Sequence, residues 1–222
     1  ESNYSERIAF INKYRKMAQL VSELDLEKVK SFLAEGDLMR GEGTHTHYYP
    51  IEELGACLKE AGFQGTQGGD PVLSRELGLG CTTGGRVNKP GEIAPQAAAW
   101  KKAGYECSTL HVGWGHESDA EIDVLLREIH AASRAEDIPI YIETHRATIT
   151  QDTWRTVRMV ERHPDIRFNA DLSHWYTGLE MPYGDFQERL RFLAPVLERV
   201  RFFHGRIGNS SHMQMPFDHP SM

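Results

Sequence analysis

Three short apolar runs in this chain end in side chains able to bind metals or move protons. Ile140, Tyr141 and Ile142 lead into Glu143, Thr144, His145 and Arg146. Ile166, Arg167 and Phe168 lead into Asn169, Ala170, Asp171, Leu172, Ser173 and His174. Val200 to Phe203 leads into His204, Gly205 and Arg206. Glu143, Asp171 and His204 together offer two carboxylates and one imidazole, a hard-to-borderline donor set suited to one divalent ion, Mn, Mg, Co or Zn. Each residue also has a bland role. Glu143 and Asp171 can cap the helices that follow them, and His204 can be a buried, hydrogen-bonded histidine. Three such residues in register on successive runs favour the metal.

Other residues gather near these ends. His174 lies three places beyond Asp171 and suits a substrate hydroxyl or a supporting contact. Arg206 lies two places beyond His204, so an extended chain carries both to one side. A guanidinium there can hold a substrate oxygen or neutralise an enediolate. His145 and Arg146 follow Glu143, and side-chain alternation turns only one of them inward. His45 and His47 share one face for the same reason, as a metal pair or a substrate-lining pair. His111 and Trp114 end a further run, where an indole can stack on a sugar ring or pack in a core. His116, His130, His163, His212 and His219 have no such company and read as surface or tail residues.

The elements that position these residues follow from periodicity. Ser5 to Leu24 reads as an amphipathic helix, and Leu26 to Ala34 as a short one stopped near Gly36. Strands are expected over Gly41–Tyr49, Phe63–Gln67, Cys81–Thr83, Tyr105–Gly113, Ile138–Glu143, Ile166–Phe168 and Val200–Phe203. A glycine- and proline-rich loop is expected from Gly84 to Pro90. Helices fill the intervals: Ile51–Ala61, Val72–Leu79, Ala94–Ala103, Ser118 to about Glu136, Gln151–Arg162 and Tyr183–Arg199. Ser118 with Glu121 three residues on is a capping-box signature. Strand, loop and helix alternate with a repeat of roughly 30 residues, which only a parallel sheet accommodates. The expected class is α/β, a (β/α)8 TIM barrel with seven strands visible. A helical extension over residues 1–40 precedes a barrel domain over 41–222 that stops before its eighth strand. Barrels of this kind carry their active sites at the carboxyl ends of the strands.

Composition narrows the partners. The chain has 222 residues, 40% hydrophobic and 26% charged, with a formal net charge of −7. That balance provides no electrostatic footprint for nucleic acid. No apolar run approaches the ~18 residues of a membrane span. Cys57, Cys81 and Cys107 form no close pair, as expected of thiols in a reducing compartment, and the cytoplasm is the expected location. There is no dinucleotide fingerprint, P-loop or nucleophile elbow. Thr82, Thr83, Gly84 and Gly85 are only a weak phosphate-cradle signal. The N-terminal helices and an open sheet edge make a homo-oligomer plausible.

At the quoted strand ends the chain resembles the xylose isomerase-like family of sugar-phosphate isomerases and epimerases, whose barrel is shared with the endonuclease IV group. Ile140 to His145, Asn169 to His174 and Phe203 to Arg206 carry the resemblance. So do Thr44 to Tyr48 and Leu58 to Phe63. The resemblance implies a divalent metal held by Glu143, Asp171 and His204, with a further glutamate from an eighth strand that is not among these residues. It implies substrate contacts from His174 and Arg206, and an enediolate formed beside a carbonyl. Glu143, His174 and Arg206 are the expected catalytic residues; His45, His47, His111, Trp114, His145 and Arg146 are expected to line the substrate. The expected activity is isomerisation or epimerisation of a small sugar or sugar phosphate. The alternatives are a metal hydrolase or endonuclease IV-like phosphodiesterase using several of the histidines, and a non-catalytic sugar-binding barrel.

Overall fold

A computed structural model describes residues 32–34, 51–206, 208, 209, 211 and 212. The chain divides into two compact units, one of residues 1–83 with 103–106 and one of residues 84–102 with 107–222. The expected helix over Ser5–Leu24 and the strand over Gly41–Tyr49, with His45 and His47, lie outside the described residues.

In the first unit, strand β1 (Phe32–Ala34) pairs in parallel with β2 (Gly65–Gln67), and β2 with the start of β3 (Gly80–Val87). Residues 32–34 are therefore strand where the apolar spacing predicts helix. Three backbone positions matched to Gly65, Thr66 and Gln67 outweigh a local preference that weak. Helix α1 (Ile51–Glu60) ends at Gly62, whose φ of 82° places it in the left-handed region that stops helices. Asp70 caps α2 (Pro71–Glu76) by accepting from the Val72 and Leu73 amides at 2.8 and 3.3 Å.

Strand β3 corrects a second expectation, because it continues through Gly84 and Gly85 instead of giving way to a loop. A Cβ on Gly85 would lie 2.6 Å from the Trp100 ring and 2.8 Å from Gln96. Only glycine lets the strand pass this close beneath helix α3 (Ile93–Ala103). Gly85 therefore has a packing reason of its own.

The second unit holds a parallel ladder in chain order: β4 (Ser108–Val112), β5 (Ile140–Glu143), β6 (Phe168–Ala170) and β7 (Val200–Phe203). Helix α4 (Asp119–Ala135) joins β4 to β5, and α5 (Thr153–Arg162) joins β5 to β6. Two helices, α6 (Ser173–Gly178) and α7 (Phe186–Leu197), join β6 to β7. Helix α4 starts at the Ser118–Glu121 capping box, with both reciprocal bonds made. Its buried stripe of Ile122, Leu125, Leu126 and Ile129 belongs to a helix packed against β5, whose Ile142 is essentially inaccessible. Helix α6 has no counterpart in the periodicity, because six residues are too few to show one. Among the described residues no helix is long and apolar enough to cross a membrane.

His163, read as a surface residue, is instead a tie between α4 and α5. Its Nε2 lies 2.8 Å from Asp123 Oδ1, which also accepts from Arg162 Nε at 3.0 Å. Burial raises the Asp123 carboxyl, but the hydrogen bonds and charges of His163 and Arg162 outweigh it and hold the group below its ordinary value. A carboxyl depressed on folding stabilises the fold above its unfolded value of about 3.9, and that contribution disappears as the pH falls through the lower folded value. Asp123→Asn is therefore expected to lower the urea midpoint at pH 7, with the deficit closing as the solution is acidified below about pH 4. A deficit unchanged down to about pH 2 would mean that packing, not charge, carries the effect.

Candidate metal centre

The carboxyl ends of β4, β5, β6 and β7 bring the candidate residues into one buried cluster. Glu143 is the last residue of β5 and is 4% exposed. Its Oε1 lies 3.3 Å from His111 Nε2 and 3.4 Å from His204 Nδ1, while its Oε2 accepts from Asn169 Nδ2 at 3.1 Å. Burial would raise this carboxyl, but the bonds and positive character of His111 and His204 outweigh it and hold the group far below the usual carboxylate range. Glu143 is thus anionic, with one oxygen held by an amide and the other facing two imidazoles.

Asp171 is fully buried just past β6. Its Oδ1 accepts from Ser173 Oγ, and its Oδ2 lies 2.8 Å from Arg206 Nε, 3.5 Å from His174 Nε2 and 3.8 Å from His204 Nδ1. None of these neighbours aims a proton along a hydrogen-bond direction at Oδ2, which remains a buried oxygen in electrostatic contact only. Burial again raises the carboxyl; His174, Ser173 and Arg206 bring it below its ordinary value. Neither carboxylate caps a helix. Asp152 caps α5, and α6 begins at Leu172 without a side-chain cap.

His204 follows β7, and its placement depends on an irregularity in the ladder. Phe168 matches Val200 but Asn169 matches Phe202, so Arg201 is an extra residue that shifts the register. The His204 amide then bonds to the Ala170 carbonyl at 3.1 Å. One ligand atom each from Glu143, Asp171 and His204 lies within 4.8 Å of the others. The donor set, in which the buried Asp171 Oδ2 accepts no aligned hydrogen bond, fits a divalent cation.

A column of imidazoles borders the cluster. The His145 ring is 4.2 Å from that of His111 and 3.8 Å from that of His174. His145 Nδ1 faces the Arg146 carbonyl, which can only accept, so Nδ1 carries the proton and Nε2 keeps its lone pair. Burial, opposed by that carbonyl and reinforced by His174 and His111, pushes the His145 imidazole down to about 4. His174 is buried with both ring nitrogens lacking a hydrogen-bond partner.

The remaining candidates are placed as follows. Arg146 is exposed, so of the adjacent pair only His145 joins the cluster. Arg206 reaches the cluster through Asp171. Trp114 is 51% exposed, with the Arg86 guanidinium 3.7 Å over its ring. Arg86 also donates to the Gly113 and Ala147 carbonyls at 2.7 and 3.1 Å, joining the turns after β4 and β5. Sequence reasoning assigned no role to Arg86 or to Asn169. Asn169 had a signal, since it sits two places before Asp171, the spacing at which an extended chain carries both to one side.

An unpartnered buried polar atom costs roughly 1–3 kcal/mol. His174→Leu, which takes from the buried Asp171 carboxylate the imidazole 3.5 Å away that helps hold its charge, is accordingly expected to lower the unfolding free energy of the metal-free protein by about 1 kcal/mol or more in urea titrations. A variant as stable as the wild type would show that the ring carries no part of that charge.

No protein-family model matches the sequence, and no curated protein sequence matches it. Solved structures do share its fold. The probable 3-DHS dehydratase AsbF of Bacillus anthracis, involved in petrobactin synthesis, is 14% identical, with a TM-score of 0.58 over 82% of this chain and 75% of that one. A D-tagatose 3-epimerase-like protein is 12% identical, with a TM-score of 0.53 over 83% of this chain and 79% of that one. Both neighbours are TIM barrels, so the fold of this chain is that of a partial TIM barrel.

Proposed function

We propose that the chain is a divalent-metal-dependent enzyme of sugar isomerase or epimerase type, acting on a carbon beside a carbonyl. The observation that carries the reading is the convergence of Glu143, Asp171 and His204, from the ends of β5, β6 and β7, on one buried point. Glu143, Asp171 and His204 would hold the ion. When bound, it would supply Lewis acidity toward the substrate carbonyl. His174 and Arg206 would hold substrate oxygens, and His111, His145 and Trp114 would contact the rest of the substrate. Asn169 orients the Glu143 carboxylate, as a group that accepts a proton must be oriented. The two structural neighbours are named for a dehydration and an epimerisation. Both reaction types can begin by taking a proton from a carbon next to a carbonyl, which supports that step more strongly than the name of any one sugar. The substrate we infer is a small polyhydroxy carbonyl compound, free or phosphorylated, in the cytoplasm.

A second reading has its own observation. His111, Glu143 and His145 form another group whose ligand atoms lie within 4.8 Å, sharing Glu143 with the first. The Nδ1–H of His145 donates to a backbone carbonyl, as the outer nitrogen of a metal-ligating imidazole usually does. A second ion held by His111 and His145 beside the first would supply the paired-metal chemistry that suits hydrolysis of a phosphodiester.

Elemental analysis of protein purified without added metal or chelator separates the readings. The isomerase reading expects about one Mn, Co or Zn per chain, lost in both Glu143→Ala and His204→Ala. Retention of metal by both variants would overturn it. Two or more zinc ions per chain, with His111→Ala removing one of them, would establish the hydrolytic reading instead. Sugar binding without turnover in the metal-loaded protein would identify a binding barrel.

A further inference from the structure

Strand β5 ends at Glu143 with backbone groups that must find partners on both sides. Toward β6 the Thr144 amide donates to the Asn169 carbonyl at 2.9 Å. Toward β4 the ladder is interrupted, because the chain turns at Ala147, returns, and donates the Ile149 amide to the Val112 carbonyl at 2.9 Å. The Glu143 carbonyl and the His145 amide both meet a side chain here. One hydroxyl serves both. Thr150 Oγ1 donates to the Glu143 carbonyl at 2.6 Å and accepts from the His145 amide at 3.1 Å.

The same residue reaches a third part of the cluster. The Thr150 carbonyl accepts from Trp175 Nε1 at 2.8 Å, and Trp175 is the neighbour of His174 in the buried first turns of α6. Thr148 supports the arrangement by donating to the His145 carbonyl at 2.7 Å, with its Oγ1 2.9 Å from that of Thr150. Thr148 and Thr150 are wholly inaccessible and Trp175 is 1% exposed, so water offers no substitute for these bonds. The turn they hold includes Ala147 at φ 52°, a conformation that a residue with a Cβ adopts only when its surroundings impose it.

We propose that Thr150 is a positioning residue of the metal centre. Its hydroxyl fixes the backbone on either side of Thr144, and so the direction of the Glu143 carboxylate and the His145 ring. Its carbonyl fixes the helix that carries His174. The proposal rests on the metal-dependent reading above. It touches neither metal nor substrate directly.

Thr150→Val keeps the shape and removes the hydroxyl; Thr150→Ser keeps the hydroxyl and removes a methyl. Metal-free protein of each kind is titrated with Co(II), following the visible absorption and the affinity against a competing chelator. Amide exchange at His145 is measured in the same metal-free samples. We expect Thr150→Val to bind Co(II) at least about tenfold more weakly, with a changed spectrum and faster exchange at His145. Thr150→Ser is expected to retain the wild-type spectrum, with an affinity within about threefold. A folded Thr150→Val with wild-type spectrum, affinity and exchange overturns the proposal, and so does equal loss in both variants, which would assign the effect to the methyl. If Thr150→Val does not fold, Thr150→Ala removes the hydroxyl without bulk and carries the same expectations. If the wild type itself takes up no Co(II), the metal reading fails; exchange at His145 then decides the clamp alone, faster exchange in Thr150→Val supporting it and unchanged exchange overturning it.

Discussion

The Glu143 carboxylate is buried where water cannot offset its charge, so neighbouring side chains must. His111, Asn169 and His204 do this, and they come from β4, β6 and β7. The parallel order of these strands is therefore a condition for burying the charge. A slip of one residue in any of them would turn its partner to the opposite face. The shifted register between β6 and β7 belongs to the same constraint, because it sets where His204 arrives.

A second constraint arises at the end of each strand, where backbone pairing stops inside the protein. The turn after β5 meets it with threonine hydroxyls and the Trp175 indole, and the turn after β4 with Glu117, whose carboxylate accepts from the Trp114 and Gly115 amides. Satisfaction is not complete. Asp171 Oδ2, Asn169 Oδ1 and both nitrogens of His174 are buried without hydrogen-bond partners. Four such atoms in one cluster are costly to the fold, and a binding site is where that cost is tolerated.

Legibility differed among the elements in a physically consistent way. Helix α4 was legible because its capping box and its buried stripe are local and agree. Strands β5 and β7 were legible because Ile140 to Ile142 and Val200 to Phe203 are short, β-branched or aromatic runs. Residues 32–34 were misread because a three-residue strand is decided by its partner, not by its own periodicity. The glycines of β3 were misread because the reason for them, the Trp100 ring, is remote in sequence. His163 was misread for the same reason, its partner being forty residues away on another helix.

From the sequence alone came the alternation of strand and helix, the positions of Glu143, Asp171 and His204 at strand ends, and the class of ion that their donor atoms suit. Those follow from residue type and from a periodicity that extends over a few neighbours. Only the tertiary structure decided which oxygen of Glu143 faces the histidines, that His145 and not Arg146 turns inward, and that Asn169 and Thr150 belong with the site. Each of those outcomes is a contact between residues on different strands or turns. Burial, which makes such contacts obligatory for polar groups, exists only once the chain has packed.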